Sequence, residues 1–374
     1  MLQLTIIMIV TFIFTGIVIA ITPYITRRET VFGVFIPEGR TSDPFVVKKK
    51  NDFFLIILVL CLLMCIPFIF FGSNEEMMNL MAIYITVAIL AYCFISYGIY
   101  YVYHRQMKSF KETFPSEESD VENQKIVIST DFSKENKVVS NFWFAGVNIV
   151  IILATILVPI FFYDRIPYQV PVHWGVDGEV TRYRERSISM FLSFPLFQLG
   201  ILTIMLVINH GIKKAKQKLN VERPKVSRAQ NIAFRYVMSK LLFVMATILS
   251  LLYLLIQCFM VFGIQEGNYI LIATIIILVP SIGGSLYIAI RYGQGGERLK
   301  IHEKEANVES GNTYDDDKYW KMGLFYFNPK DPTVWVEKRF GLGMTINFGS
   351  PAGIMLMVGL IVVIIVLMVI SFLL

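Results

Sequence analysis

The residues most able to do chemistry cluster in two short stretches. The first is RIPYQVPVHWGVDGEVTRY, residues 165–183. Here His173 stands four residues before Asp177 and six before Glu179. An imidazole among carboxylates can ligate a metal ion or act as a proton-responsive switch. With no cysteine and no second histidine nearby, the favoured reading is structural: His173 hydrogen-bonds within a turn and orders it. Pro167 and Pro171 fix the backbone and favour an extended approach to that turn. Val170 and Val172 alternate as in a strand, and Asp177-Gly178 is a turn signal. Trp174, Tyr163, Tyr168 and Tyr183 suit a membrane–water interface. The stretch therefore predicts a small hairpin with Pro167, Pro171, His173, Trp174, Asp177 and Gly178 as candidate binding residues.

The second stretch is DDDKYWKMGLFYFNPKDPTVWVEKRFGLGMTINFG, residues 315–349. Phe325-Tyr326-Phe327 and Val334-Trp335-Val336 are rich in strand formers. Asn328 to Pro332 between them predicts the turn of one hairpin, and Gly341 and Gly343 punctuate the chain before Met344 to Phe348. Candidate binding residues are Tyr319, Trp320, Tyr326, Asn328, Asp331, Arg339 and Asn347, with Trp320, Trp335, Lys338 and Arg339 at headgroup level. Three consecutive acids, Asp315 to Asp317, could hold a divalent cation, but in a polar linker they read as solvated. Gly341-x-Gly343 lacks the third glycine and the strand–helix setting of a nucleotide loop.

These stretches must be positioned by the elements around them, and those are written in hydrocarbon-length runs. Of 374 residues 55% are hydrophobic and 17% charged, against roughly 25% charged in a soluble domain. Eight apolar runs, about Leu2–Tyr24, Phe53–Phe71, Leu80–Tyr103, Phe142–Phe162, Ile188–Ile208, Leu241–Val261, Tyr269–Tyr292 and Ala352–Leu373, are each long enough to cross a bilayer as helix. The first is read as a retained span rather than a cleaved signal. The predicted class is an all-α polytopic membrane protein with about eight transmembrane helices, a small extracellular hairpin loop and a small cytoplasmic β-hairpin module.

Basic residues give its orientation. The first, third, fifth and seventh connections hold 30 of the 34 Lys and Arg, and the even ones hold only four. Positive connections stay in the cytoplasm. This places both termini outside a plasma membrane, the 165–183 stretch outside and the 315–349 stretch inside. The basic pI reflects contact with anionic headgroups rather than nucleic acid. The predicted organisation is a three-span region with a polar linker (1–141), a two-span unit with its outer loop at 163–187 (142–208), a two-span region (209–292), a cytoplasmic module (293–350) and a last helix (351–374). Long, short, long connections recur in both halves; they could mark two four-helix repeats, but with no residue match between the halves chance is the favoured reading. Lys125–Thr130 within the linker predicts a short strand.

The 165–183 stretch carries a resemblance. Tyr163, Pro167, Val170-Pro171-Val172-His173-Trp174, Gly178 and Arg182-Tyr183 resemble the domain of unknown function found in SdpI-type membrane proteins, over roughly residues 145 to 195. Gly175 and Thr181 stand where that pattern usually has Asn and Asp. Tyr319-Trp320, Tyr326-x-Asn328-Pro329-x-Asp331-Pro332, Val336-x-Lys338-Arg339 and Gly341-x-Gly343-x-Thr345-x-Asn347 resemble a second domain of unknown function that accompanies the first. The resemblance implies a bacterial plasma membrane. For its best-known member it implies immunity to a secreted peptide toxin together with sequestration of a repressor.

Function classes can be weighed from the spans. They hold no deep ionisable group, only Asn148, Gln198, Gln257 and Ser281, and the chain lacks the common hydrolase and nucleotide motifs. No enzyme, cofactor or metal is expected. Cys61 and Cys65 share a helix face and read as apolar filler rather than a redox pair. Pro159 and the Pro280-Ser281-Ile282-Gly283-Gly284 run could unwind helices or let them pack closely. The favoured function is a receptor, immunity or regulatory protein, with lipid, a secreted peptide or envelope component outside and a cytosolic regulator inside as partners. A secondary transporter or a structural envelope protein is the alternative.

Overall fold

A computed structural model describes residues 2–72, 78–114, 137–174, 180–217, 220, 223–264, 268–301 and 316–373. The Asp177-Gly178 turn, Glu179, Asp315 and the Lys125–Thr130 strand lie outside them. Among the described residues, eight helices are long and apolar enough to cross a membrane: α1 (Leu2–Ile25), α2 (Pro44–Gly72), α3 (Met78–Lys111), α4 (Asn141–Phe161), α5 (Ile188–Lys214), α6 (Pro224–Phe262), α7 (Asn268–Arg291) and α8 (Pro351–Leu373). Local chemistry sets their ends. The Ser140 and Ser187 hydroxyls accept the amides of Phe142 and Met190 at the starts of α4 and α5. Pro224 opens α6, and Gly263 closes it in the left-handed conformation with φ 67°.

The helices pack three and three. α1, α2 and α3 share one core, built from Phe12, Phe53, Ile57, Phe68 and Tyr92. Gly16 lets α1 approach α2 there: a Cβ at that position would sit 2.3 Å from the Cys61 sulfur. α4, α5 and α6 form a second bundle. α7 leans on α6 and α8 on α5. α4 thus packs with α5 and α6, not with the first three helices, so the principal contacts do not follow two four-helix halves. Pro159 and Pro280 lie inside continuous α4 and α7. A Cβ on Gly284 would meet Leu241 at 2.5 Å, so Gly284 serves close packing of α7 on α6, whereas Gly283 has nothing within 4 Å.

α8 is apolar all round, and Ile354, Val358, Ile361 and Ile365 are exposed. α2 and α3 likewise present Leu55, Leu62, Phe70, Ile83 and Phe94. Outward apolar side chains on spanning helices are what lipid contact requires.

Among the described residues, four antiparallel strand pairs decorate the ends: β1 (Thr30–Val31) with β2 (Val34–Phe35), β3 (Gln169–Trp174) with β4 (Val180–Glu185), β5 (Trp320–Lys321) with β6 (Phe325–Tyr326), and β7 (Trp335–Glu337) with β8 (Met344–Ile346). The described parts of all four basic connections meet at one end of the molecule. Arg27 there reaches Glu337, Lys111 reaches Asp317, Lys216 reaches Asp331, and Val139 bonds Ser239. The β3–β4 hairpin follows α4 at the opposite end.

The strand pairing of the basic-end module corrects the sequence expectation. Phe325-Tyr326-Phe327 and Val334-Trp335-Val336 do not form one hairpin around Asn328–Pro332. β6 returns to β5, β7 pairs with β8, and a parallel bridge between Tyr326 and Asn347 joins the pairs. The 328–333 segment is a wide loop held by side chains. Asn347 donates to the Asn328 and Asp331 carbonyls at 3.0 and 2.9 Å, Asn328 accepts from the Lys330 amide, and Asp331 accepts from the Thr333 amide. Asn and Asp side chains that bond nearby backbone make their own turns.

Candidate functional site

At the hairpin end, Ile166 and Val170 are buried against Met190 and Phe191 of α5 and Met260 and Val261 of α6. Pro167 lies over Gly263, 3.1 Å from where a Cβ would be. Gly263 therefore both caps α6 and makes room for the hairpin base. Pro171 is opposite Tyr183, His173 opposite Arg182 and Trp174 opposite Val180, with the register shifting on both sides of His173. A proline without an amide hydrogen fits next to such an irregularity. The backbone of His173 and Trp174 is thus in β3, near the turn, while Asp177 and Gly178 lie outside the described residues. Tyr168 and Tyr183 are exposed.

The sequence reading missed Arg186. Its guanidinium donates to the Tyr163 and Ile166 carbonyls at 3.3 and 3.1 Å and stacks 5.1 Å from the Tyr163 ring centre. It ties the segment just before α5 to the stretch after α4.

Between the ends, α4–α6 carry a ladder of buried polar side chains. Ser239 donates to Asn209, which donates to Asn141 and the Val139 carbonyl. Ser250 donates to Asn148 at 2.8 Å. Gln198 donates to Thr155 and to the Ser250 carbonyl, and Gln257 donates to the Thr155 carbonyl at 2.5 Å. The mild polar residues noted in these spans bind helix to helix. Ser281 of α7 donates to its own helix at the Ile277 carbonyl and also lies 3.4 Å from the Met245 sulfur of α6.

At the basic end, the predicted residues converge. Tyr326 donates to Asp331 at 3.1 Å and accepts from Asn328 at 3.2 Å. Trp320 donates to Asp316 at 3.0 Å, and Arg339 stacks over its indole at 5.2 Å. Tyr319 packs its ring on Tyr326. Trp320, Tyr326, Asn328, Asp331, Arg339 and Asn347 are all buried, so these side chains bond one another inside the module. Burial would push the Asp331 carboxyl up, but the Lys216 ammonium and Thr333 outweigh it and hold it below the ordinary range.

The acidic run is also corrected. Asp316 and Asp317 are not simply solvated. Both ion-pair with Arg339, and Asp317 also takes Lys111 at 2.6 Å. Burial raises the Asp317 carboxyl, yet Arg339 and Lys111 override it and depress it. Burial likewise opposes the charge on Arg339, but Asp316 and Asp317 keep its guanidinium above its usual value. Among the described residues no three metal-ligating groups gather.

The largest omission of the sequence reading is Arg235, on the stretch of α6 before its apolar run. It is 0% exposed. Its Nε donates to Asn231 at 2.6 Å, and its Nη atoms donate to the Ile212 and Ala215 carbonyls at 2.7 and 2.8 Å. A cation at the carboxyl end of α5 satisfies both its orphan carbonyls and its dipole. Glu337 of β7 lies 3.8 Å from Arg235, accepts from Asn231 at 2.6 Å and from Arg27 at 2.5 Å. One carboxylate therefore joins the segment after α1, α6 and the module. Lys216, just after α5, extends the module by a parallel bridge to Val336.

The first connection holds a turn the sequence reading left as plain loop. Phe32 and Gly33 both have positive φ, 47° and 76°. A bulky residue in that region is unusual. Phe32 is held there by Phe53, Tyr100, Tyr103 and Phe340 rings. Met322 and Gly323 repeat the left-handed pattern, and a Cβ on Gly33 would lie 2.6 Å from the Gly323 Cα. Tyr100 of α3 bonds the Phe32 and Met322 carbonyls, both at 3.2 Å.

Residues 150–199 match a domain of unknown function (DUF1648), and residues 329–354 match a family of unknown function (DUF5808). The first covers the second half of α4, the hairpin and the start of α5; the second covers the loop after β6, the β7–β8 pair and the start of α8. No curated protein and no solved structure matches the chain.

Proposed function

We propose that this is a bacterial plasma-membrane receptor or regulatory protein. Its β3–β4 hairpin meets a secreted peptide or envelope component outside, and its basic-end module meets a cytosolic regulator. The basic connections support the module end as the inner one. The observation that carries the reading is a shared support. The hairpin base sits on α5 and α6 through Met190, Phe191, Met260 and Val261, and the module grips the other ends of the same helices through Arg235, Lys216 and Glu337. A ligand that favours one tilt of α5 on α6 would bias both ends, as rigid elements with two arrangements do. The resemblance of the hairpin to SdpI-type proteins favours immunity to a secreted peptide as the particular form. The proposal is non-enzymatic, because a tilt needs no bond making.

Pro171→Ala, His173→Ala and Trp174→Ala, made one at a time, test it in cells challenged with secreted peptide toxins or envelope stress. At least one should abolish the protein-dependent phenotype while inserting normally. Normal insertion of all three with the phenotype untouched removes the basis for an outer recognition surface.

A second reading, a carrier, is favoured by one observation. The side-chain oxygens of Gln198 and Gln257 in the polar ladder are buried without a hydrogen-bond partner. Gradient-dependent solute flux in proteoliposomes, lost in Gln198→Leu, would select it over the receptor.

A further inference from the structure

A polar pocket of about 270 Å³ opens at the basic end. It lies between the segment after α1, the first turns of α6 and Glu297. Three arginines line it: Arg27, Arg28 and Arg223. The Arg28 and Arg223 side chains are exposed, and among the described residues neither guanidinium has an ion-pair partner. Arg27 is buried, and its Nε has no hydrogen-bond partner. Asn220, Ser227 and Gln230 complete the polar wall. The floor is the amino-terminal turn of a 39-residue helix, where the helix dipole is positive.

Two carboxylates share the lining and would repel an anion: Glu29 is buried, while Glu297 is partly exposed but engaged by its neighbours. Glu297 accepts the Arg28 amide at 3.0 Å and lies 3.7 Å from Arg27. The fully exposed charged side chains of the lining are Arg28 and Arg223, beside a helix amino terminus.

We infer that this pocket is a binding site for a phosphate group. Planar guanidinium groups bind phosphate oxygens in pairs, and a helix amino terminus supplies further positive potential. The volume is slightly below that of a drug-sized ligand site, which suits a small phosphate-bearing anion. Two sources offer that chemistry, a soluble phosphate compound and an anionic lipid headgroup. Ser227 precedes the apolar run that starts at Leu241 by 14 residues, about 21 Å of helix at 1.5 Å per residue. The headgroup layer is only about 5–7 Å deep on each face. On the α1 side, however, Arg28 follows the apolar run ending at Tyr24 by only four residues, so reach to the headgroups does not separate the two sources. This inference does not rest on the receptor reading.

The test uses the purified full-length protein in neutral detergent. Its thermal stability is followed against inorganic phosphate, against chloride at matched ionic strength, and against mixed micelles of phosphatidylglycerol or phosphatidylcholine. Phosphate should give a saturable rise that chloride does not. In Arg28→Gln/Arg223→Gln the apparent Kd should weaken by about ten-fold or more. A charge-matched pair of exposed lysines outside the pocket, Lys48→Gln/Lys321→Gln, should bind like the parent. A response to phosphatidylglycerol without one to phosphate assigns the phosphate group to lipid. No saturable response to either probe, or equal weakening in the lysine pair, overturns the site.

Discussion

Replacing Arg235 by Met should cost about 3–5 kcal/mol, more than any surface charge removal in this protein. The magnitude follows from what the guanidinium touches. Methionine fills similar volume but donates nothing. The Ile212 and Ala215 carbonyls lose their donor at the end of α5, and Asn231 loses its partner at 2.6 Å. Each buried acceptor left unpaired costs about 1–3 kcal/mol. Glu337 would keep Arg27 and Asn231, which limits the electrostatic part. The assay is unfolding of the full-length protein in detergent, followed by tryptophan fluorescence, for wild type, Arg235→Met, Glu337→Gln and the double variant. The single Arg235→Met loss should exceed 2 kcal/mol, about a thirty-fold shift in the folding equilibrium, and the cycle should show a coupling of at least about 0.5 kcal/mol. A loss under about 1 kcal/mol with no coupling would mean that Arg235 does not hold the module to the helices, and the shared-support argument would fall with it.

Three further outcomes are expected. Gly211→Ala places a Cβ 2.5 Å from the Trp335 indole, so it should destabilise by about 1–3 kcal/mol and shift Trp335 fluorescence; Trp335→Leu in the same chain should recover most of the loss. Asp317 and Asp331 are held below their ordinary value of 3.8 in the fold, so their stabilisation is full above about pH 3.8 and is lost as pH falls through the depressed folded values. Acid titration of tryptophan fluorescence should show that loss, and Asp317→Asn, weaker by about 1–3 kcal/mol at pH 7, should show less of it; an identical acid profile would refute the assignment. Finally, an impermeant maleimide should label His173→Cys on intact cells and Phe325→Cys, at an exposed position, only after lysis. The reverse pattern would invert the proposed sidedness.

The spans were legible because each is a long apolar run whose ends carry charge, proline or glycine, and such runs depend on no distant partner. The β3–β4 hairpin was legible from its two prolines, alternating valines and Asp-Gly signal for the same reason. Arg235 was not, because one arginine among nine cations in its connection stands out only when the end of α5 and Glu337, 102 positions later, arrive beside it. Its one local trace was Asn231 at i−4. The Phe32-Gly33 turn was hidden by its residue type, since a phenylalanine with positive φ is tolerated only by rings from α2, α3 and the module. The pairing of β5 to β8 failed from sequence because Asn347, 19 residues on, shapes the loop that local propensity read as a hairpin turn.

The meeting of Gly33 and Gly323 has a consequence for how this protein can vary. Two backbone bends press together there with no side chain between them, under the Tyr100 hydroxyl. Insertions at either tip would pry the first connection away from the seventh, whatever residues were inserted. Length changes among descendants of this sequence must therefore accumulate elsewhere, and the tips act as a fixed clasp that the surrounding rings hold shut.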